Sequence, residues 1–405
     1  MESIKVCFIT GSRAEYGLMR WLMEDIKKSP DFELQVIVTG SHLMEEFGNT
    51  YRQIEEDGFF INKRIPFPIK GNDLNDLGKA VGTLSSSLVE SFEKLSPDLL
   101  MVMGDRYELL SVISSSVLSA IPVAHISGGE LTEGAIDDQI RHAMTKISHL
   151  HYVANEVYEE RVKQMGEESW RICNCGEPGL DNLQRQEIMG KNELQENLKL
   201  DLSKPTALVT YHPVTLEREG LKFQIDELLT TMENLTLEEG LQFVITYPNA
   251  DEGSKLIIET WKKFVDQKDT AVLIKSLGQS RYLSALKYLT VVIGNSSSGL
   301  VEAPSFNMPV INIGNRQKGR MRGSNVIDVG YSNNEITLAV KEILKNPKKV
   351  KCFNPYGEGN SSVKILSHIK NIYTNRTKQQ LMTKKFQDSS SVIDKEKNFF
   401  LKYGD

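Results

Sequence analysis

The sequence predicts an α/β fold of two lobes, each with a parallel β-sheet covered by helices, and three observations support it. Short runs of apolar and β-branched residues alternate with longer stretches whose apolar residues recur at helical spacing. This alternation starts a second time in the latter half of the chain. With 405 residues, the chain is long enough for two domains of about 100–200 residues each. We therefore expect two Rossmann-like lobes whose strands end at a shared cleft.

Five segments of the first lobe have the apolar, β-branched composition of buried parallel strands. They are residues 5–10, 33–40, 97–105, 121–129 and 149–155. Helical spacing of apolar residues between these segments predicts the connecting helices, and strands joined by helices form parallel sheets.

The second lobe repeats this organisation without repeating the sequence. Its predicted strands are residues 205–213, 241–249, 270–278, 290–299 and 308–314. The boundary between the lobes is expected in the Gly/Pro-rich segment 175–180, which divides the chain into lobes of residues 1–177 and 178–375. The polar, Lys-rich remainder, 376–405, is expected to be a C-terminal helix or tail.

Composition excludes several classes of protein. Hydrophobic residues make up 40% and charged residues 25% of the chain, which is typical of a folded protein. Apolar stretches fall far short of the roughly 20 residues that span a membrane, and the N-terminus lacks the apolar core of a secretory signal. The net charge of −6 favours no nucleic-acid partner. Four cysteines form no disulfide framework and show no metal-binding spacing, so we expect a cytoplasmic protein without a metal.

The first predicted strand is followed by residues 10–17, a Gly-rich segment that begins a helix and carries Arg13. Backbone N–H groups at such a turn, beside a cation, predict an anion site, although a plain strand–helix turn explains the segment as well. The chain contains neither the G-x-G-x-x-G fingerprint nor a P-loop motif. We therefore expect the protein to need no cofactor.

The strongest phosphate signal is segment 294–302, in which a β-branched strand leads into three serines between two glycines and then a helix. Ser296 and Ser297 are expected to cap that helix and to donate to phosphate oxygens, because the helix dipole favours the same anion. Glu302 is expected to accept the hydroxyls of a ribose, or else to support the helix start. Arg316 follows the next strand in a basic turn, which is either a phosphate ligand or solvated.

Titratable side chains also follow three other strands. They are His212 in the second lobe, and Asp105, Arg106, Glu130, Asp137 and Asp138 in the first. An imidazole suits proton transfer near neutral pH or a bond to phosphate, although a structural histidine fits as well. Crowded carboxylates raise one another's pKa, which supplies an acid and a base at neutral pH. The alternative for the Asp pair is that it stabilises the start of a helix.

Several long motifs, in order along the chain, resemble those of the hydrolysing UDP-N-acetylglucosamine 2-epimerases of sialic acid synthesis. They are GSRAEYG, SHLMEEFGNT, MGDRYE, HISGGELTEGAIDDQIRHAMTKISH, HPVT, PNADEGS and GNSSSGLVEAPSF with INIGNRQKGR. The resemblance covers about residues 4–375 and implies the GT-B fold and a homodimer or homotetramer. It also implies that UDP-N-acetylglucosamine loses UDP by elimination to 2-acetamidoglucal, after which water adds to give N-acetylmannosamine.

By motif match, the resemblance also implies the site residues. Substrate ligands would be Arg13, Gly17, Arg106, Asp138, His212, Asn249, Leu277, Ser296, Ser297, Glu302 and Arg316, and catalytic residues would be Asp105, Glu130, Asp137 and His212. The sequence departs from many relatives at Ser127, where an acid is common, and at Gly17, where serine is common. Glu130 is favoured as the base, with Asp105 and Asp137 as alternatives.

Three other functions fit part of the same residues. The same chemistry on UDP-N,N′-diacetylbacillosamine, for legionaminic acid synthesis, would change only the sugar pocket. A GT-B glycosyltransferase would share the nucleotide site but would need an acceptor groove in place of the acidic cluster. A silent nucleotide-sugar sensor would not need Asp105, Glu130 and His212. Release of free UDP without an acceptor separates these functions.

Overall fold

The chain folds into two compact α/β units. The computed structural model describes residues 3–45, 48–67, 74–132, 136–214, 217, 220–248, 253–346, 351–389, 392–393 and 395. Within them, the first unit runs to Glu130 and includes Ile136–Asp181 and the C-terminal part from Gly359. The second unit comprises Asn182–Glu358 and a short segment that begins at Leu131.

The first unit contains, among its described residues, a parallel sheet of seven strands. They are β1 (Ile4–Thr10), β2 (Phe32–Val38), β3 (Lys63–Arg64), β4 (Leu99–Met103), β5 (Val123–Ile126), β6 (Leu150–Val153) and β7 (Ile172–Asn174). Their order is β3-β2-β1-β4-β5-β6-β7, so the direction of strand addition reverses between β1 and β4. Open α/β sheets bind ligands at the carboxyl ends of strands at such a reversal.

The second unit contains a parallel sheet of six strands among its described residues. They are β8 (Thr206–Thr210), β9 (Gln242–Thr246), β10 (Ala271–Ile274), β11 (Val291–Gly294), β12 (Val310–Ile313) and β13 (Val326–Val329). Their order is β10-β9-β8-β11-β12-β13, which reverses between β8 and β11. The carboxyl ends of β8 and β11 are therefore where a ligand of this unit is expected.

Helices pack on both faces of each sheet. Those before the second sheet are α1 (Arg13–Lys28), α2 (Tyr51–Glu56), α3 (Leu74–Leu95), α4 (Leu109–Leu118), α5 (Ile136–Ile147), α6 (Glu156–Gln164), α7 (Asn182–Arg185) and α8 (Lys191–Leu198). The others are α9 (Leu221–Glu239), α10 (Ser254–Val265), α11 (Gly278–Tyr288), α12 (Ser298–Val301), α13 (Asn333–Lys345), α14 (Ser361–Asn375) and α15 (Lys378–Met382). Side chains alternate along each strand: Phe8 belongs to one hydrophobic core of the first unit and Ile9 to another. None of the described helices is both long and apolar enough to cross a membrane.

The predicted second lobe, residues 178–375, extends too far, because helix α14 belongs to the first unit. Ile365, Ile369 and Ile372 are buried in the core of the first unit together with residues of α1. The division between units follows Asp181, and the chain returns to the first unit at Gly359. The apolar spacing of α14 predicts a helix with one buried face, but it does not say which core that face covers.

The segment after α14 also packs on the first unit. Its helix α15 starts with a capping box between Thr377 and Gln380. Beyond it, the Lys384 ammonium donates to the carbonyl oxygens of Lys146 and Ser148, at 2.6 and 2.5 Å. Up to residue 389, this region therefore consists of a short helix, α15, followed by a segment without helix or strand.

Candidate active site

The turn after β1 is occupied largely by its own side chains. Ser12 caps α1 by accepting a hydrogen bond from the Glu15 amide at 3.4 Å. The Glu15 carboxylate accepts the Gly11 N–H at 2.8 Å, and burial raises the pKa of Glu15 to about 7. A backbone donor expected to meet an anion is thus already bonded. The anion-binding capacity of this turn lies with Arg13, which is exposed at the first position of α1, one turn before Gly17.

The end of β4 carries a second set of charges. Gly104 takes a left-handed conformation, with φ 84°, and turns the chain toward Asp105. Arg106 Nε lies 3.2 and 3.3 Å from the two carboxylate oxygens of Glu108, a buried side chain. Arg106 is therefore held in place by an ion pair at the edge of the site.

Arg141 in α5 lies at the centre of these charged side chains, although the sequence predicts no role for it. Its side chain is 3% exposed; Nη2 pairs with Asp105, and Nη1 lies 3.1 Å from Glu130 Oε2. Nη1 also donates to the Ser127 carbonyl at 3.0 Å. Burial opposes the guanidinium charge, but Asp105 and Glu130 raise the pKa of Arg141 above its ordinary value.

Arg141 changes the electrostatics expected for this region. Instead of carboxylates that face one another, the structure places a cation between Asp105 and Glu130. Glu130 is buried while Asp105 is about one-fifth exposed, so the two acids differ in their access to solvent. Removal of Arg141 would leave both carboxylates without this cation, which is costly in a protein interior.

The backbone that leads to Glu130 is strained and tightly packed. Ser127 has φ 65°, which is rare for a residue with a side chain, and such strain clusters at functional sites. Gly129 has φ 76°, and a Cβ there would lie 2.5 Å from the Tyr158 carbonyl oxygen. A glycine is thus required immediately before Glu130, which fixes where its carboxylate points.

His125 ties the ends of β4 and β5 together. Its Nε2 donates to the Gly104 carbonyl at 2.8 Å, and its Nδ1 lies 3.1 Å from the Thr145 hydroxyl. Burial lowers the pKa of His125 to about 3, so the imidazole is neutral. It therefore acts as a structural link behind Asp105.

Asp137 and Asp138 lie in the first turn of α5, the position at which acids stabilise a helix dipole. Asp138 lies 3.4 Å from His142 Nε2, one turn later, and its charge also helps to raise the pKa of Arg141. Both acids thus support the helix, and Asp138 also adds negative charge near the Arg141 guanidinium.

In the second unit, Asn295 connects His212 with Arg316. Asn295 Oδ1 accepts the His212 N–H at 2.7 Å, and Arg316 Nη1 donates to the Asn295 carbonyl at 3.0 Å. Burial, and secondly the charge of Arg316, hold the pKa of His212 well below its ordinary value. The imidazole is therefore neutral at neutral pH, and His212 and Arg316 lie together.

The serine loop differs from the expected cap. Ser297 is the N-cap of α12, yet its side chain makes no capping hydrogen bond. Ser296 Oγ instead accepts the Ser298 N–H at 3.4 Å. Glu302 follows α12 directly, and burial raises its pKa to about 7. Leu277 is buried immediately before α11.

Each unit thus gathers part of the predicted set, and Asn249 lies outside the described residues. Asp105, Glu130 and Asp138 meet around Arg141, and His212 and Arg316 meet around Asn295, with Ser296 next to it in the chain. Arg141 and Asn295 both lie within the sequence motifs that resemble the epimerase family, but only the folded chain shows which residues they bond. An arginine one turn after the Asp137–Asp138 pair was the signal available for Arg141.

Comparisons with known proteins show the family of this chain. A family model described as UDP-N-acetylglucosamine 2-epimerase matches residues 24–370. The chain is 42% identical to the GDP/UDP-N,N′-diacetylbacillosamine 2-epimerase (hydrolyzing) of Campylobacter jejuni, over 81% of this chain and 85% of the relative. It is 36% identical to the UDP-N,N′-diacetylbacillosamine 2-epimerase (hydrolyzing) of Legionella pneumophila, over 91% of this chain and 96% of the relative.

A solved structure shows the fold. The crystal structure of UDP-GlcNAc 2-epimerase from Neisseria meningitidis bound to UDP-GlcNAc matches with a TM-score of 0.78 at 18% identity, over 91% of this chain and 100% of that chain. The predicted GT-B fold, with two Rossmann-like units, is confirmed by this likeness. The chain therefore belongs to the UDP-N-acetylglucosamine 2-epimerase family, and it is an enzyme that acts on a nucleotide sugar.

Proposed function

We propose that this enzyme eliminates UDP from a UDP-2-acetamido sugar and hydrates the resulting glycal, which releases the free sugar inverted at carbon 2. The observation that carries the proposal is the buried Asp105–Arg141–Glu130 arrangement at the strand ends of the first unit. Inversion at an unactivated carbon needs a carboxylate held where it can remove a proton. A glycosyltransferase has no use for such a group facing carbon 2.

In the first step, Glu130 takes the proton from carbon 2. The electron pair of that C–H bond forms the double bond between carbons 1 and 2, while the bond from carbon 1 to the diphosphate oxygen breaks. In the second step, the hydroxyl of water adds to carbon 1 and a proton adds to carbon 2 on the opposite face. Arg141 stabilises the carboxylate pair throughout, and Asp105 and Asp137 are the competing candidates for the base.

The leaving UDP carries the charge that develops during elimination. Arg316, Ser296 and Ser297 supply a cation and hydroxyl donors for the diphosphate, and donors that meet developing charge lower the barrier. Neutral His212 supplies a further N–H donor there. Glu302 accepts the ribose hydroxyls. The remaining ligands assigned by motif, Arg13, Gly17, Arg106, Asp138, Asn249 and Leu277, complete the proposed substrate site.

The substrate we propose is UDP-N,N′-diacetylbacillosamine. The supporting observation is the similarity to the Campylobacter and Legionella proteins, whose names specify that sugar and hydrolysis. The description of the matching family names UDP-N-acetylglucosamine, which makes that nucleotide sugar the second candidate and sialic acid synthesis the corresponding pathway.

NMR of the products formed from each nucleotide sugar in deuterated water tests the proposal. We expect release of UDP and of a mannose-configured sugar with deuterium at carbon 2, without NAD or an acceptor. We expect a higher kcat/KM with the diacetamido substrate. A preference for UDP-N-acetylglucosamine would select the second candidate. A requirement for NAD or an acceptor would refute the reaction itself.

A further inference from the structure

The side chain of Asn295 continues the pairing of β8 with β11 beyond the end of both strands. The two strands pair in parallel as far as Thr210 and Gly294. At the next position the Asn295 N–H donates to the Thr210 carbonyl at 3.2 Å. Asn295 Oδ1 then accepts the His212 N–H at 2.7 Å, and Nδ2 donates to the His212 carbonyl at 2.8 Å. The side-chain amide therefore satisfies both backbone groups of His212.

The approach of the two strands that permits this pairing depends on Gly294. Its φ is 142°, and a Cβ there would lie 1.9 Å from the Thr210 carbonyl oxygen, far inside contact distance. Any side chain at this position would separate the ends of β8 and β11. Gly294 and Asn295 thus act together. The glycine allows the ends of β8 and β11 to approach each other, and the asparagine joins them by hydrogen bonds.

The backbone of Asn295 holds a third strand end. Its carbonyl accepts hydrogen bonds from Arg316 Nη1 at 3.0 Å and from Gln317 Nε2 at 2.9 Å, both in the turn after β12. The Asn295 side chain itself is fully buried. Its N–H, its carbonyl and both polar atoms of its side chain are therefore all bonded to neighbours from two other strand ends, those of β8 and β12.

We propose that Asn295 is a positioning residue of the diphosphate site, which holds the His212 backbone through its amide and the Arg316 guanidinium through its carbonyl. This inference rests on the proposed function, which assigns His212, Arg316 and Ser296 to UDP. Asn295 touches no substrate group; it sets the distance between ligands that come from different strands. Groups held in place before the anion arrives bind it without a cost of reorganisation.

The competing explanation is that Asn295 only stabilises the sheet, and Gln242 provides a matched control for it. Gln242 lies at the amino end of β9 in the same sheet and is 4% exposed. Its Nε2 donates to the Asp201 carbonyl at 2.7 Å and to the Thr206 hydroxyl at 3.2 Å. Replacement of either amide by leucine removes side-chain hydrogen bonds from the same sheet, but only one of the two lies beside the proposed ligands.

Calorimetric UDP affinity, the KM and kcat for the nucleotide sugar, and the melting temperature are measured for Asn295→Leu and Gln242→Leu. We expect Asn295→Leu to raise the UDP Kd and the KM by about tenfold to a hundredfold, since small displacements of positioned groups have effects of that size. Gln242→Leu should lower the melting temperature while its Kd and KM remain those of the wild type. Should Asn295→Leu fail to fold, the smaller and polar Asn295→Ser is judged by the same values.

The outcomes separate positioning from stability because Kd and KM are measured well below each variant's melting temperature, where almost all of the enzyme is folded and the apparent Kd equals the intrinsic one. An Asn295 variant with wild-type Kd and KM, whatever its melting temperature, overturns the inference. Wild-type protein that fails to bind UDP at all refutes the proposed function instead. If the wild type binds UDP and the Asn295 variants keep its Kd and KM, the role of Asn295 is refuted while the proposed function stands.

Discussion

The strand ends of the two units hold different kinds of side chain. In the first unit, the Arg141 guanidinium lies between the carboxylates of Asp105 and Glu130 and pairs with both. In the second unit, the Asn295 amide is bonded to the backbone of His212, whose pKa is lowered by burial until the imidazole is neutral, and Arg316 supplies the positive charge. The same strand–helix architecture thus carries a charged site in one unit and a mostly neutral donor site in the other.

This difference indicates a division of labour. Buried ion pairs have a high desolvation cost, and well-packed apolar residues often stabilise a fold as well or better. Their presence at the ends of β4 and β5 therefore favours a chemical role over a purely structural one. Neutral donors suit the diphosphate site proposed for the second unit, because they would bind and release the anion without a large desolvation cost of their own.

The largest expected effect is on turnover in Glu130→Gln. The substitution keeps the size and hydrogen bonding of the side chain but removes its basicity, so kcat should fall by about 10²–10⁴-fold. UDP affinity should be unchanged, because the proposed diphosphate ligands belong to the other unit. Turnover in deuterated water, followed by NMR, measures both UDP release and deuterium at carbon 2.

Near-normal UDP release with deuterium at carbon 2 in this variant would remove Glu130 from the role of base. Asp105→Asn and Asp137→Asn, assayed in parallel, then identify which of the two carboxylates takes that role. Because the acids interact through Arg141, any pH profile belongs to the group and not to one residue.

Arg141→Met should have the largest effect on folding. It leaves two carboxylates near a low-polarity interior without their cation, and loss of one partner from a buried pair costs about 3–5 kcal/mol. Urea unfolding measures the loss. The double variant Arg141→Met/Glu130→Gln should recover part of it, because one of the unpaired charges is then absent.

A control for Arg141 is Arg64→Met, which removes a guanidinium paired with Glu55 at the exposed edge of the same unit. Its effect should stay within about 1 kcal/mol, as for most surface ion pairs. Equal losses of unfolding free energy in both variants would mean that the Arg141 ion pairs behave like an exposed salt bridge. The charged strand ends of the first unit would then be no evidence for a chemical role.

Arg316→Ala and Ser296→Ala test the second unit. Loss of a charge-assisted hydrogen bond costs about 1.5–3 kcal/mol, so Arg316→Ala should weaken UDP binding by roughly 10- to 100-fold. Ser296→Ala removes a neutral donor and should have a smaller effect, about 0.5–1.5 kcal/mol. Calorimetry with UDP measures both. Lys341→Ala, which removes a cation paired with Glu238 in the same unit, should leave UDP affinity unchanged.

Unchanged UDP affinity in both Arg316→Ala and Ser296→Ala would refute the phosphate assignment. An equal loss in the Lys341 variant would mean that net positive charge, and not a particular geometry, binds the nucleotide.

Buried strands could be predicted from the sequence, whereas three of the four edge strands in the described sheets could not. All ten predicted strands are confirmed, with bounds within a few residues, because each is a continuous apolar run between turn signals. The strands β3, β7 and β13 were missed. Lys63 and Arg64 of β3 are both exposed, and Asp328 interrupts β13, so neither has the apolar pattern of a buried strand.

For the site, the sequence supplied residues but not their pairing. Asp105 and Arg141 lie 36 positions apart, and His212 and Asn295 lie 83 apart, so no local pattern relates them. The predicted crowding of acids was incomplete for the same reason, because the compensating cation comes from the next helix. The strained φ of Ser127 also has no sequence signal, since serine rarely adopts it.

The smallest expected effect concerns Glu302, the acidic exception in the second unit. Burial raises its pKa from 4.5 to about 7, so the folded protein binds this proton more tightly than the unfolded chain does. Its contribution to stability is therefore fully present below about pH 4.5 and is lost as the pH rises through 7. Glu302→Gln should match the wild type at low pH and exceed it above pH 7, by on the order of 1 kcal/mol. Urea unfolding from pH 5 to 8 measures this, with the exposed Glu259→Gln as a control whose curve should run parallel to that of the wild type. A Glu302→Gln curve that also runs parallel would mean that Glu302 is ionised without cost, and the second unit would then be more tolerant of negative charge than its neutral donors indicate.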